Sequence, residues 1–228
     1  MKLCVTYTIY QQMKSIFQQN DELKHLTTIC LPYNADKKIM DHIQREELSV
    51  HTISLPLTSL IDTKVSNEFF REQLVRKLES CNCHDVLLQI HEDLILTEDH
   101  ISMIHQFAEF LYKKRITLHV EMNHSILEMK RLIYHQENVY FQLCMRTDSY
   151  CLQKEQIILL KDLLPYCANE IVVVLRNLNI ENLKVLSNFN PYIYYIFEEY
   201  CSEKEVAEWL TISNVQNLYC IREGSLHI

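Results

Sequence analysis

The 228-residue chain holds one glycine, Gly224, four prolines and one tryptophan. Glycine supplies positive φ and lets a backbone approach a phosphate closely. A chain with one glycine therefore contains neither a GxGxxG nor a GxxxxGK(S/T) loop. This weighs against nucleotide cofactors held by such loops and against a phosphate-gripping barrel enzyme. So few glycines and prolines also leave no candidate linker, and the expectation is a single domain over residues 1–228. Basic residues are short as well: Lys and Arg total 22 against 30 Asp and Glu, a formal charge of −8. A DNA-binding surface needs clustered cations to neutralise phosphates, and no dense Lys/Arg run exists, so direct nucleic-acid binding is not expected. The uninterrupted apolar runs fall far short of the roughly 20 residues a membrane helix needs. The opening stretch MKLCVTYTIYQQ turns polar too soon for a secretory segment, so no membrane partner is expected either.

Cysteine, by contrast, is plentiful. There are nine, an odd number, and Cys4, Cys30, Cys144 and Cys220 sit inside apolar segments. Buried free thiols in a reducing cytosol account for that pattern, which makes the expected location cytoplasmic. The CNCH stretch at 81–84 places two thiols and a histidine together, but zinc sites ask for CxxC and a second pair elsewhere. It reads as a helix-to-strand loop. No metal and no cofactor is assigned.

Apolar residues make up 48% of the chain, enough for a sizeable core. Nine strand-like runs recur at 2–8, 26–31, 50–55, 85–91, 116–122, 139–145, 170–175, 192–197 and 217–222. Helix-like stretches separate them. The clearest spans 97–115: Thr97 suits the N-cap, Glu98 and Asp99 the positive end of the helix dipole, and Lys113, Lys114 and Arg115 the negative end. Ile101, Ile104, Ala108 and Leu111 form its apolar stripe. Ser125 with Glu128 and Ser202 with Glu205 match the S-x-x-E capping box and place helices near 125–136 and 202–211. Further helices are expected near 35–48, 66–80, 153–164 and 181–188. Alternating strands and helices mean βαβ units around a parallel sheet. Eight such units closed into a barrel take roughly 200 to 250 residues. The expected fold is therefore an α/β parallel (β/α)8 TIM-like barrel, irregular or carrying one extra strand. With nine strand-like runs, one is expected to be spurious or to lie outside the barrel wall.

Parity within the strands says where their faces point. One parity holds Thr6 and Thr8; Thr28 and Cys30; Thr52 and Ser54; Gln89, His91 and Asp93; Thr117, His119, Glu121 and Asn123; Gln142, Cys144, Arg146 and Asp148. The other holds Leu3 and Val5, Ile29 and Leu31, Ile53 and Leu55, Leu88 and Ile90, Leu118 and Val120, Leu143 and Met145. Side chains alternate across a strand, so the apolar parity faces the helices and the polar parity faces a lumen or a concave sheet. Polarity rises toward the carboxyl end of each strand, where parallel α/β folds carry their sites. The candidate catalytic carboxylates are Glu121, Asp148 and Glu199. The candidate ligand contacts are His91, Asp93, His119, Asn123, Arg146, Arg176 and Glu223. Such a convergence of imidazoles and carboxylates could hold a divalent ion or a polar organic ligand. It could also form only buried ion pairs, such as Glu121 with Arg146 and Asp148 with Arg176. A Cys144–His119 nucleophile pair can also be drawn on adjacent strands.

IHEDL on the fourth strand and YIFEEY on the eighth resemble the strand-end glutamate sites of barrel glycoside hydrolases. In the large clan with this fold, the acid is a Glu preceded by Asn on the fourth strand, and the nucleophile is a Glu ending the seventh. Here His91 precedes Glu92, and Glu198 falls on the eighth. The whole is most similar to a degenerate glycoside-hydrolase-type (β/α)8 barrel of the sort appended to AraC-type bacterial regulators. That resemblance implies a regulatory, carbohydrate-binding domain that recognises a polar small molecule such as a sugar at the strand ends, with other domains of a larger regulator as partners. Two alternatives stand beside it. One is a carbohydrate-active enzyme, a glycosidase or metal-assisted isomerase, working through the strand-end carboxylates. The other is a protein-interaction scaffold built as a leucine-rich-repeat horseshoe, since LHVEMN and LQIHED loosely fit its L-x-L-x-x-N core.

Overall fold

The computed structural model describes residues 3–12, 14–15, 27–62, 68–91, 93–122, 126–147, 172–175, 194–197 and 218–221. The strands are β1 Leu3–Thr6, β2 Thr27–Pro32, β3 Val50–Pro56, β4 Asp85–Ile90, β5 Thr117–Met122, β6 Phe141–Thr147, β7 Val172–Leu175, β8 Tyr194–Phe197 and β9 Leu218–Ile221. Described helices are α1 Tyr7–Gln12, α2 Lys37–Arg45, α3 Leu57–Asp62, α4 Glu68–Ser80, α5 Glu98–Lys113 and α6 Ile126–Tyr134. All nine strands run parallel, each beside its neighbours in sequence, and β9 pairs with β1 to close the barrel. The expectation that one strand-like run is spurious or lies outside the wall is therefore corrected. A horseshoe is excluded for the same reason, since its sheet stays open and this one closes.

The strand ends differ from the expected ranges by one or two residues at most positions, and two of the shifts have a visible cause. The first strand stops at Thr6, and Tyr7 and Thr8 begin α1. Tyr7 and Tyr10 share one helical face: Tyr10 is buried, and the Tyr7 hydroxyl meets His42 Nδ1 on α2 at 2.9 Å. Thr8 thus leaves the polar strand parity and is exposed. The sixth strand begins at Phe141 instead of 139, because Tyr140 is engaged with Tyr112 at the end of α5. The helices expected at 153–164, 181–188 and 202–211 lie outside the described residues.

The core is the layer between strands and helices. Ile29, Leu31, Ile53, Leu55, Val86, Leu88, Ile90, Leu118 and Val120 from the wall pack with Ile101, Ile104, Phe107, Ala108 and Leu111 of α5. Burying each such aliphatic or aromatic side chain contributes about 1.5–3 kcal/mol. Helix α5 starts at Thr97, whose hydroxyl accepts from His100 N at 3.2 Å while His100 Nδ1 accepts from Thr97 N at 3.4 Å. This is a capping box with histidine where Glu or Gln is usual. His105 sits among the apolar residues of α5, and its Nε2 donates to Leu132 O on α6 at 2.6 Å. Burial pushes its pKa below the ordinary imidazole value, so the ring is neutral at pH 7. Among the described residues no helix is long and apolar enough to cross a membrane.

The scarcity of glycine shows at the helix ends. Among the described residues three have positive φ, none of them glycine: Glu47 at 54°, Asn82 at 50° and Arg115 at 61°. Each follows a helix, and the next residue donates back to the last turn: Leu48 N to Ile43 O, Cys83 N to Leu78 O, and Ile116 N to Leu111 O. This is the Schellman closure, whose left-handed position is ordinarily glycine. Here glutamate, asparagine and arginine occupy it.

Candidate functional site

The polar parity faces away from the helix layer. Ile29, Leu31, Ile53, Leu55, Val86, Leu88, Leu118 and Val120 belong to the apolar cluster that joins the strands to the helices, whereas the buried Cys30 and Leu87 do not. Thr28, Thr52, His119 and Glu121 are buried as well and alternate with cluster residues along their strands, which places all six on the interior face. Register then sorts the interior into layers. Thr52, Asp85 and Thr117 lie level at the amino ends of β3, β4 and β5. Leu87, His119 and Gln142 lie level above them, followed by Gln89, Glu121 and Cys144.

The amino-end layer is held by Asp85. Its Oδ1 stands 2.9 Å from His119 Nε2, whose side chain is only 5% exposed. Burial pushes the Asp85 carboxyl up. The hydrogen bond from His119 and the charges of His119, His51 and His84 pull it further down, to below the ordinary carboxylate value. Asp85 is therefore ionised at neutral pH, and His119 Nε2 carries the proton and donates. Thr52 Oγ1 donates to Asp85 O at 3.1 Å, stitching β3 to β4. Cys83 Sγ donates to His51 O and Asp85 O at 3.1 and 3.4 Å. Its burial raises the thiol to about 12, an unreactive value.

Toward the carboxyl ends, Glu121 is 3% exposed, and Gln89 Nε2 donates to its Oε2 at 3.4 Å. A carboxylate can be buried only with hydrogen-bonding partners, and the pairing of Gln89 with Glu121 in the ladder supplies one. His91 and Asp93 lie past the end of β4. They form a pair at 3.4 Å, and their side chains are 73% and 88% exposed. Of the predicted site residues, then, the fold brings His119 and Glu121 into the interior and leaves His91 and Asp93 at the solvent-facing strand end. Arg146 lies on β6 beside Val174 of β7. Asn123, Asp148, Arg176, Glu199 and Glu223 lie outside the described residues, as do Glu92 and Glu198. Among the described residues no three His, Cys, Asp or Glu side chains gather as metal ligands would.

Asp85 is the interior residue that the sequence reading passed over. Alone at the start of a strand, after CNCH, it reads as a turn residue. Extending the parity of Gln89 back by four positions would have found it, but Leu87 between them breaks the alternation.

No protein-family model matches the sequence. The search of curated proteins likewise returned no match. Solved structures do match. A 3-keto-D-glucoside 4-epimerase from E. coli is similar with a TM-score of 0.58 at 11% identity, covering 92% of this chain and 99% of that one. A xylose isomerase domain containing protein from Salmonella typhimurium has a TM-score of 0.59 at 15% identity, covering 92% and 94%. A D-allulose 3-epimerase from Methylomonas sp. has a TM-score of 0.54 at 13% identity, covering 95% and 91%. At such identities the likeness is one of fold, and it shows an α/β TIM barrel. None of these three is a glycoside hydrolase or an AraC-type regulator, so only the barrel part of the sequence resemblance is shared with them.

Proposed function

We propose that the chain is one barrel domain that binds a small polyhydroxylated molecule of the sugar class at the carboxyl ends of its strands, with Glu121 as a group that meets it. The observation that carries this reading is a buried carboxylate on the interior face of β5, two residues beyond the His119–Asp85 pair and steadied by Gln89. A carboxylate so placed accepts hydrogen bonds from sugar hydroxyls, and its burial strengthens each of them. The neighbouring Gln89 amide supplies a donor, so the same layer reads both halves of a hydroxyl. Asp148, Arg146, Arg176, Glu199 and Glu223 are proposed to complete the ring of contacts.

A second reading is favoured by the names of the solved neighbours: catalysis of epimerisation or isomerisation of a sugar. In that reaction a base removes a proton from the carbon beside a carbonyl, and Glu121 is the group proposed for it. If binding occurs without turnover, the domain serves as a sensor within a larger regulator.

Thermal-shift measurements with aldoses, ketoses, divalent metals and a chelator test the binding. The expected result is a sugar-dependent rise in melting temperature that Glu121→Gln reduces at least tenfold in apparent affinity while its own melting temperature stays close to the parent's. A Glu121→Gln variant that binds normally, or that merely melts earlier, would refute the role of Glu121. NMR of the bound sugar in D2O separates the two readings. Deuterium entering a C–H position shows turnover, and unlabelled sugar shows binding alone.

A further inference from the structure

A second recess lies at the opposite end of the strands. Between the last turn of α5 and the segment entering β6, a cleft of about 650 Å³ opens at the amino ends of β5 and β6. Two features of its lining are unusual together. Tyr112 and Tyr140 stack with centroids 4.7 Å apart and planes 35° from parallel, and Tyr112 is 61% exposed, so one aromatic face is free. Arg115 lines the rim, its backbone fixed in the left-handed region by the closure of α5. Lys113 shares its charge with Glu109 at 2.6 Å, whereas Arg115 enters none of the described ion pairs.

Each feature asks for one part of a ligand. An exposed aromatic wall suits a flat ring, and aromatic pairs gain beyond their buried area. A guanidinium with fixed backbone grips a carboxylate or phosphate with two hydrogen bonds. The volume is that of a small-molecule site. We propose that this cleft is a second binding site, for a small anion built on a flat ring. Nucleotides and aromatic acids both satisfy that description. The site needs no glycine loop, because the guanidinium replaces the backbone cradle. Barrel chemistry takes place at the carboxyl ends of the strands, so a ligand at the amino ends is an effector and not a substrate.

The full chain is titrated with AMP, 4-hydroxybenzoate, adenosine and inorganic phosphate by calorimetry and saturation-transfer NMR. AMP or 4-hydroxybenzoate is expected to bind in the submillimolar range, with adenosine and phosphate at least tenfold weaker than AMP. Binding of AMP identifies the nucleotide source, and binding of 4-hydroxybenzoate the aromatic acid. Arg115→Gly is expected to weaken binding at least tenfold without lowering the melting temperature, since glycine suits the positive φ. Failure of both anions to bind at millimolar concentration overturns the proposal. So does adenosine binding as tightly as AMP, or affinity unchanged in Arg115→Gly.

Discussion

Burial pushes the Asp85 carboxyl up, while His119, His51 and His84 draw it down further, and the net is a carboxylate below its unfolded value of about 3.9. As pH falls, the unfolded chain takes up the proton first. The stabilisation from this pair is thus complete above about pH 5 and disappears as pH falls through the folded value. Asp85→Asn is expected to lose about 1–3 kcal/mol at pH 7, because it leaves His119 buried beside a weaker partner. Urea unfolding at neutral pH measures the loss, and melting curves run into acid should show the gap between variant and parent closing. A gap that stays constant with pH would mean that the loss comes from packing instead. At this scale the sequence was legible for Glu121 and His119, whose strand shows its parity plainly. It was not legible for Asp85, because the significance of a lone acidic residue depends on what faces it from the next strand.

Among the helices, α5 was read almost to the residue, since its cap, dipole charges and stripe are all local signals. The closures after α2, α4 and α5 were not legible, because nothing in the sequence flags glutamate, asparagine or arginine as left-handed. An L-residue in that region costs about 1–2 kcal/mol, part of which the greater freedom of unfolded glycine offsets. Glu47→Gly is therefore expected to stabilise the chain by about 0.5–1 kcal/mol. Asn82→Gly should gain less, because asparagine tolerates the left-handed region better. Chemical denaturation of the two variants gives the order, and a loss of stability in Glu47→Gly would contradict the Schellman assignment. The short helices α1 and α3 escaped the sequence reading for a different reason. Each follows its strand without a break, and six residues are too few to display a helical period.

For the whole molecule, stability rests on the layer between wall and helices, and the interior carries the polar groups. Leu118 is fully buried on the helix side of β5, under α5. Leu118→Ala is expected to cost about 2–5 kcal/mol, by transfer and cavity terms together. Differential scanning calorimetry checks this, and a cost under 1 kcal/mol would show that the helix layer is not the principal core. The closed parallel ladder of nine strands is the expected barrel with one extra strand. Each strand-like run is visible alone, but whether a ninth joins the wall depends on Leu218 meeting Leu3 and Ile221 meeting Val5 across the seam.

The amino-acid sequence alone determined the alternation of strands and helices and the division of each strand into a helix-facing and an interior-facing set. Both follow from periods of 2 and 3.6 residues, which are properties of neighbouring positions. Tertiary structure decided the closure into nine strands, the partner of His119 and the cleft walled by Tyr112 and Tyr140. Those depend on residues far apart in the chain, and only the completed ladder brings them within hydrogen-bond or stacking distance.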